Sequence, residues 1–369
     1  MQRRSPVQLP DFPWDALEPF QARARAHPDG MIDLSVGSPV DPTPEAVQRA
    51  LAQATDAHGY PATMGSAALR EALLGWLVRR RGAVNATVAN VIPTIGSKEL
   101  IALLPLLLGV RAGQVVVVPT IAYPTYAIGA ELVGARIVRA DDPAQWPEDT
   151  ALAYLNSPAN PHGATLTVEQ LRAAVARARE VGAVVVNDEC YAELTWESDE
   201  PTPSILDGRV VGDVRKQVLA VYSLSKQSNL AGYRAGVLAG CGDLIAEILA
   251  VRKHLGLIPP APVQVAMIAA LNDDAAVQEQ RERYRARRDV LLPALEGAGF
   301  RVDHSGAGLY LWATRGQDSW TTLAELADLG ILVAPGAFYG EEPAQHVRVA
   351  LTASDAAIEG AAARLGWTA

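Results

Sequence analysis

Two cysteines, Cys190 and Cys241, are all that this 369-residue chain carries. A lone pair so far apart builds no disulfide framework and has no metal-ligand spacing, so the expected compartment is the reducing cytoplasm and no metal site is expected. Surplus positive charge is missing too: 32 Lys and Arg against 41 Asp and Glu leave a formal net charge of −9. That balance excludes the broad basic face of a nucleic-acid binder, so an anionic ligand has to be met by a local cluster of cations. No apolar run is long enough for a bilayer. ELIALLPLLLGV is short and interrupted by proline, and MQRRSPVQLPDFPWDAL lacks the apolar stretch of a signal peptide. A G-x-G-x-x-G after an early strand is also absent, which argues against a dinucleotide dehydrogenase.

What the chain does have is apolar residue, 49% of it, in an alternating pattern. Between Val91 and Gly240 the runs VIPTI, VVVVP, RIVRA, ALAYLN, AVVVND, VLAVYS and AGVLAG are separated by amphipathic stretches such as TVEQLRAAVARAREVG. Such alternation predicts an α/β fold with a mainly parallel, helix-covered sheet. Ligands of such sheets gather beyond the carboxyl ends of the strands. Asn156 to Gly163, Asp188 to Tyr191 and Ser223 to Lys226 all fall there. After Pro259 the sequence becomes largely helical, then breaks into the short strands LYLWAT, ILVAP and VRVALT. The expected organisation is an N-terminal arm with part of a small domain over residues 1–40, a large α/β domain over 41–265 and a small C-terminal α+β domain over 266–369.

YSLSKQSNLAGYRAG, Tyr222 to Gly236, puts Lys226 among serines at a strand end with Arg234 eight residues on. Taken singly, each feature has a plain structural explanation: a solvated lysine, Asp188 as a turn or capping residue, Ser97 near a helix cap. In order, GSKE opening a helix, AYPTY, NSPANPHG, NDECY and SLSK followed by Arg234 resemble the fold-type I pyridoxal phosphate enzymes, specifically the class I and II aminotransferases. The resemblance implies a seven-stranded, mainly parallel sheet sandwiched by helices and pyridoxal 5'-phosphate as cofactor. It assigns Lys226 as covalent anchor and general base, Asp188 as partner of the ring nitrogen, and Tyr191 and Asn160 as partners of the ring's phenolic oxygen. Tyr123 would stack on the ring; Ser97, Lys98, Ser223, Ser225 and Arg234 would hold the phosphate. Tyr60 in GYPATMG would reach a partner subunit's phosphate, implying a homodimer with shared sites, and Gly37 and Arg348 would take the substrate carboxylate. His162, where the family has threonine, reads as a loop residue.

Within that family the chain is similar to the succinyldiaminopimelate transaminases of lysine and cell-wall biosynthesis, on LPDFPWDAL, HPDG, LSVGSPVDP, VRKHLGL, AALNDD, AGLYLWATRG, GILVAPGAFYG and HVRVALT. The implied reaction is exchange of an amino group between N-succinyl-LL-2,6-diaminopimelate and 2-oxoglutarate, by a ping-pong route through pyridoxamine phosphate. Glu193, two residues past Tyr191, is expected either near the pocket, where it would oppose an acidic substrate tail, or in solvent. Arg252, Lys253 and His254 are expected as a distal carboxylate site or as a basic helix end. Alternatives on the same scaffold are transamination of a related amino acid and a carbon–sulfur β-lyase. A regulator with an aminotransferase-like sensor needs a DNA-binding domain ahead of LSVGSPV, and the preceding stretch is too short for one.

Overall fold

The computed structural model describes residues 9–367; the first eight residues, part of the predicted arm, and Thr368 and Ala369 lie outside it. A two-residue strand β1 (Ile32–Asp33) precedes a run of seven strands: β2 (Val91–Ile95), β3 (Val115–Val118), β4 (Arg136–Arg139), β5 (Thr150–Asn156), β6 (Val184–Asp188), β7 (Val218–Ser223) and β8 (Ala235–Gly240). These seven form one sheet in the order β2-β8-β7-β6-β5-β3-β4. Only β8 runs against its neighbours, so the mainly parallel sheet predicted from the apolar runs is observed.

The valine runs explain why. In β3 all four valines are fully buried, and they alternate between two cores: Val115 and Val117 pack on one face, Val116 and Val118 on the other. A strand of β-branched residues covered on both faces is the signature of a parallel sheet. Each such valine contributes about 1.5–3 kcal/mol of burial. Helices complete both layers. Val168–Val181, for example, is started by a Thr167–Gln170 capping box and stopped at Gly182, whose φ is 76°. Helix Gly96–Leu107 runs through Pro105; the Ile101 carbonyl that the missing N–H leaves without its helical donor accepts from Tyr154 Oη at 2.9 Å. Among the described residues no helix is long and apolar enough to cross a membrane.

The later strands are β9 (Arg301–Asp303), β10 (Tyr310–Thr314), β11 (Ile331–Leu332), β12 (Ala334–Pro335) and β13 (His346–Ala350). Four of them make an antiparallel sheet, β12-β13-β10-β9, with its own apolar core. β1 pairs with β11, and Ala350 N–H donates to the Leu34 carbonyl at 2.8 Å. That pairing carries the chain leaving β1, Ser35 to Gly37, against the end of β13.

Register does the rest of the positioning. Asn156 on β5 stands beside Asp188 on β6, and Asp188 beside Val221 on β7, two residues before Ser223. Three strand ends therefore open on one crevice.

Candidate active site

The crevice, about 590 Å³, is lined by Gly37, Ser97, Lys98, Tyr123, Asn160, Asp188, Tyr191, Ser223, Ser225, Lys226, Arg234 and Arg348 together. Every residue proposed from the sequence is there except Tyr60. They come from seven separate stretches that the sheet register and the β1–β11 pairing bring to one place.

At one end Arg348 rises from β13, the strand between β10 and β12, and is only 2% exposed. Its Nη1 donates to Asn160 Oδ1 at 3.0 Å and its Nη2 to the Ser35 carbonyl at 2.6 Å, while its Nε is buried with no partner. Aromatic faces surround it, Tyr310 at 4.0 Å and Tyr339 at 5.2 Å from the ring centroids. None of these partners is a carboxylate, so Arg348 is not held by a structural ion pair among the described residues. A guanidinium taken out of water with no anion is costly unless the site exists to receive one.

At the floor, Asp188 accepts from Tyr126 Oη at 2.9 Å and from the Cys190 N–H at 3.1 Å. Burial raises its pKa, and the donors only partly offset this. Lys226 reaches the Gly37 carbonyl with its Nζ. Burial, with Arg348 and Arg234 nearby, lowers its pKa, which favours the unprotonated, nucleophilic amine. Asn156 Oδ1 accepts from the Asn160 N–H at 2.7 Å and so fixes the loop that presents Asn160.

At the other end, helix Gly96–Leu107 starts with no side chain capping it, since its N-cap is Ile95. Ser97 is therefore inside the first turn and not at the cap. Gly96 has φ 70°, and a Cβ on it would strike the Arg234 guanidinium. Only glycine lets the arginine lie against the helix start. Arg234 itself holds a left-handed φ of 57°, strain of the kind kept at functional sites. Ser223 Oγ donates to Ser225 Oγ at 2.8 Å beside it. Open N–H groups, two hydroxyls and a guanidinium make an anion cradle. Lys98, next to Ser97 in the same first turn, has its Nζ 5.2 Å from the Phe12 ring centroid; burial and the nearby Arg234 lower its pKa, and it is the fourth cation here without a carboxylate among the described residues.

Several expectations change. Tyr60 is 101% exposed and lies outside this chain's crevice. Glu193 is neither in the crevice nor in solvent: it is buried and bonded to Arg80 Nη2 at 2.6 Å, from a helix far back in the sequence. Replacing it, Glu193→Gln, should lower stability by about 1–3 kcal/mol through loss of a charged partner, read as a lower Tm, and leave substrate KM unchanged. A shift in substrate preference would contradict this placement. Arg252 is buried against Glu99 at 3.0 Å and Lys253 and His254 are exposed, so no distal carboxylate site forms there. His162 lies outside the crevice, its pKa pushed down to about 4 by burial. Residues given no role from the sequence are Tyr126, Cys190, Tyr310 and, from the N-terminal stretch, Phe12 and Trp14. AYPTY, NDECY, AGLYLWATRG and LPDFPWDAL contain most of them; apolar context hid their polar atoms.

Comparison with known proteins places this geometry in a family. The profile described as aminotransferase class I and II matches residues 29–365. The 4-dedimethylamino-4-oxo-anhydrotetracycline transaminase OxyQ of Streptomyces rimosus is 56% identical over 97% of this chain and 99% of its own. The Mycobacterium tuberculosis protein named "Probable aminotransferase Rv1178" is 56% identical over 97% of this chain and 86% of its own. Among solved structures, a Thermus thermophilus protein titled "probable N-succinyldiaminopimelate aminotransferase" superposes with a TM-score of 0.85 at 28% identity, covering 95% of this chain and 98% of that one. Neither relative at 56% is named for succinyldiaminopimelate.

Proposed function

The chain belongs to the class I and II aminotransferases, and from that premise we propose that it transfers the amino group of N-succinyl-LL-2,6-diaminopimelate to 2-oxoglutarate in two half-reactions through one site. The observation that carries the proposal is Arg348, buried and without an anion. A planar guanidinium with its Nε still unpartnered suits the carboxylate next to the reacting amine. Lys98, in the same helix turn as Ser97 and also without a carboxylate, adds positive charge where a phosphate would rest.

The family's chemistry depends on pyridoxal 5'-phosphate, and the residues fit it. Asp188 is a buried carboxylate facing the crevice with no cation, as a protonated pyridine nitrogen requires, and the uncapped helix start with Gly96 flat against Arg234 suits a phosphate. Bound there, the cofactor supplies an aldehyde for a lysine and a ring that takes up the electron pair left on the substrate Cα. Ser97, Ser223, Ser225 and Arg234 would grip the phosphate; Tyr123 would cover the ring; Tyr191 and Asn160 would bond its phenolic oxygen. Lys226, released by the incoming amine, would take the proton from Cα and return it on the cofactor side. Tyr126→Phe tests the floor of the site: Asp188 loses its 2.9 Å donor, and the cofactor dissociation constant should rise about tenfold, measured by titration of apoprotein. An unchanged constant would detach Asp188 from the cofactor.

Tyr60, fully exposed, supports a homodimer in which it reaches the partner's phosphate. Two buried, unbridged cysteines support a cytoplasmic protein. A second acceptor is favoured by the rings of Phe12 and Trp14 at the crevice: a polycyclic 4-oxo compound like that in the name of the Streptomyces relative. Product analysis decides. Equal amounts of glutamate and the oxo acid of N-succinyl-LL-2,6-diaminopimelate support the proposal. Glutamate formed only from other donors removes the substrate, and ammonia with pyruvate indicates a β-lyase.

A further inference from the structure

Tyr310 was not assigned any role from the sequence, and in the small sheet it touches Arg348, Tyr191 and the backbone of Gly37. It lies on β10 opposite Ala350 of β13 and is buried. The Arg348 guanidinium sits over its ring, 4.0 Å from the centroid. Its hydroxyl is 3.2 Å from the Tyr191 hydroxyl, and the two rings meet edge to face at 5.8 Å. The same hydroxyl occupies the space where a Cβ on Gly37 would be, and the Gly37 carbonyl is what Lys226 Nζ bonds. One side chain thus joins the carboxylate end of the crevice to the lysine end.

We propose that Tyr310 is a positioning residue with two separable parts: its ring fixes the Arg348 guanidinium for the substrate carboxylate, and its hydroxyl fixes Tyr191 and, through Gly37, the Lys226 amine. Phenylalanine would fill the same volume on β10, so the hydroxyl is not needed for packing. A phenol offers one donor and two lone pairs, enough to serve Tyr191 and the crevice at once. Burial opposes ionisation of Tyr310, yet Arg348, Lys226 and the bond from Tyr191 outweigh it and lower its pKa; burial drives that of Tyr191 up. Burial keeps the proton on Tyr191, and the 3.2 Å contact with Tyr310 holds its hydroxyl in place. The ring's task is different. A cation buried among aromatic faces gains from the ring quadrupole and has fewer orientations to lose when a carboxylate arrives.

The inference rests on the aminotransferase reading of the crevice, and its test separates the two. Tyr310→Phe keeps the ring and removes the hydroxyl: kcat should fall about tenfold, the value of one hydrogen bond, with the KM of the amino donor and the Tm nearly unchanged. Tyr310→Leu removes the ring: KM should rise about thirtyfold, and the calorimetric Kd of succinate, a carboxylate with no amino group to react, should rise by the same factor on holoprotein. If kcat survives in Tyr310→Phe, or Kd for succinate survives in Tyr310→Leu, that part of the proposal is overturned. Equal losses of kcat, KM and Tm in both variants would reduce Tyr310 to a packing residue and overturn both. Failure of the wild-type protein to transaminate any donor would sink the functional reading instead, while the succinate titration would still decide the ring.

Discussion

Replacing Lys226 with alanine is expected to slow transamination by about four orders of magnitude without disturbing the fold. The argument is local. Lys226 is the one amine set at the end of a buried strand beside Asp188 and Tyr191, and its pKa is lowered by burial together with Arg348 and Arg234. The unprotonated form is then more available than for a lysine in water, for attack on an aldehyde and for receiving the Cα proton. No other lysine substitutes: Lys98, the other lysine lining the crevice, stands against Phe12 in the helix turn at the phosphate end. Borohydride reduction followed by peptide mapping should place the cofactor mass on the Lys226 peptide of the wild type and nowhere in the variant. Full turnover in Lys226→Ala, or cofactor mass on another lysine, would overturn the assignment.

Arg348→Gln carries the second large effect, and on a different parameter. Glutamine keeps some polarity on β13 but loses the charge, leaving Asn160 Oδ1 and the Ser35 carbonyl without their 3.0 and 2.6 Å donors. Losing one member of a desolvated guanidinium–carboxylate pair costs about 2–5 kcal/mol, so KM for the amino donor should rise at least about thirtyfold. The cofactor should still bind, because the groups assigned to its phosphate, at Gly96 and Arg234, make no contact with Arg348. Unchanged KM with lower Tm would mean that the arginine only holds the small sheet to the Asn160 loop.

The sheet was legible because its strands are β-branched runs and their polar ends are abrupt: VVVND turns from valine to Asn187 and Asp188 within one strand, and the register then fixes Asn156 alongside. Lys226, Asp188 and Arg234 each have a plain structural explanation taken singly; the order and spacing of the motifs that hold them, with Arg348 in HVRVALT, is what pointed to one site. Other features depend on partners that sequence does not bring together. Glu193 pairs with Arg80, 113 residues away, so its direction could not be read from NDECYAELTW. Tyr310 stands in the apolar strand YLWAT, and the groups it touches come from Gly37, Tyr191 and Arg348. Tyr126, stacked on Tyr154 at 4.9 Å, reads as core until its hydroxyl is seen on Asp188.

The most direct test of the aminotransferase account is a single half-reaction. Holoprotein is mixed with nitrogen-15-labelled glutamate and no oxo acid, and the released compounds and the protein-bound label are measured. Stoichiometric 2-oxoglutarate, with the label retained on the protein fraction until an oxo acid is added, is the predicted result. Labelled ammonia in solution, or no oxo acid from glutamate or from any other amino donor, would contradict the account.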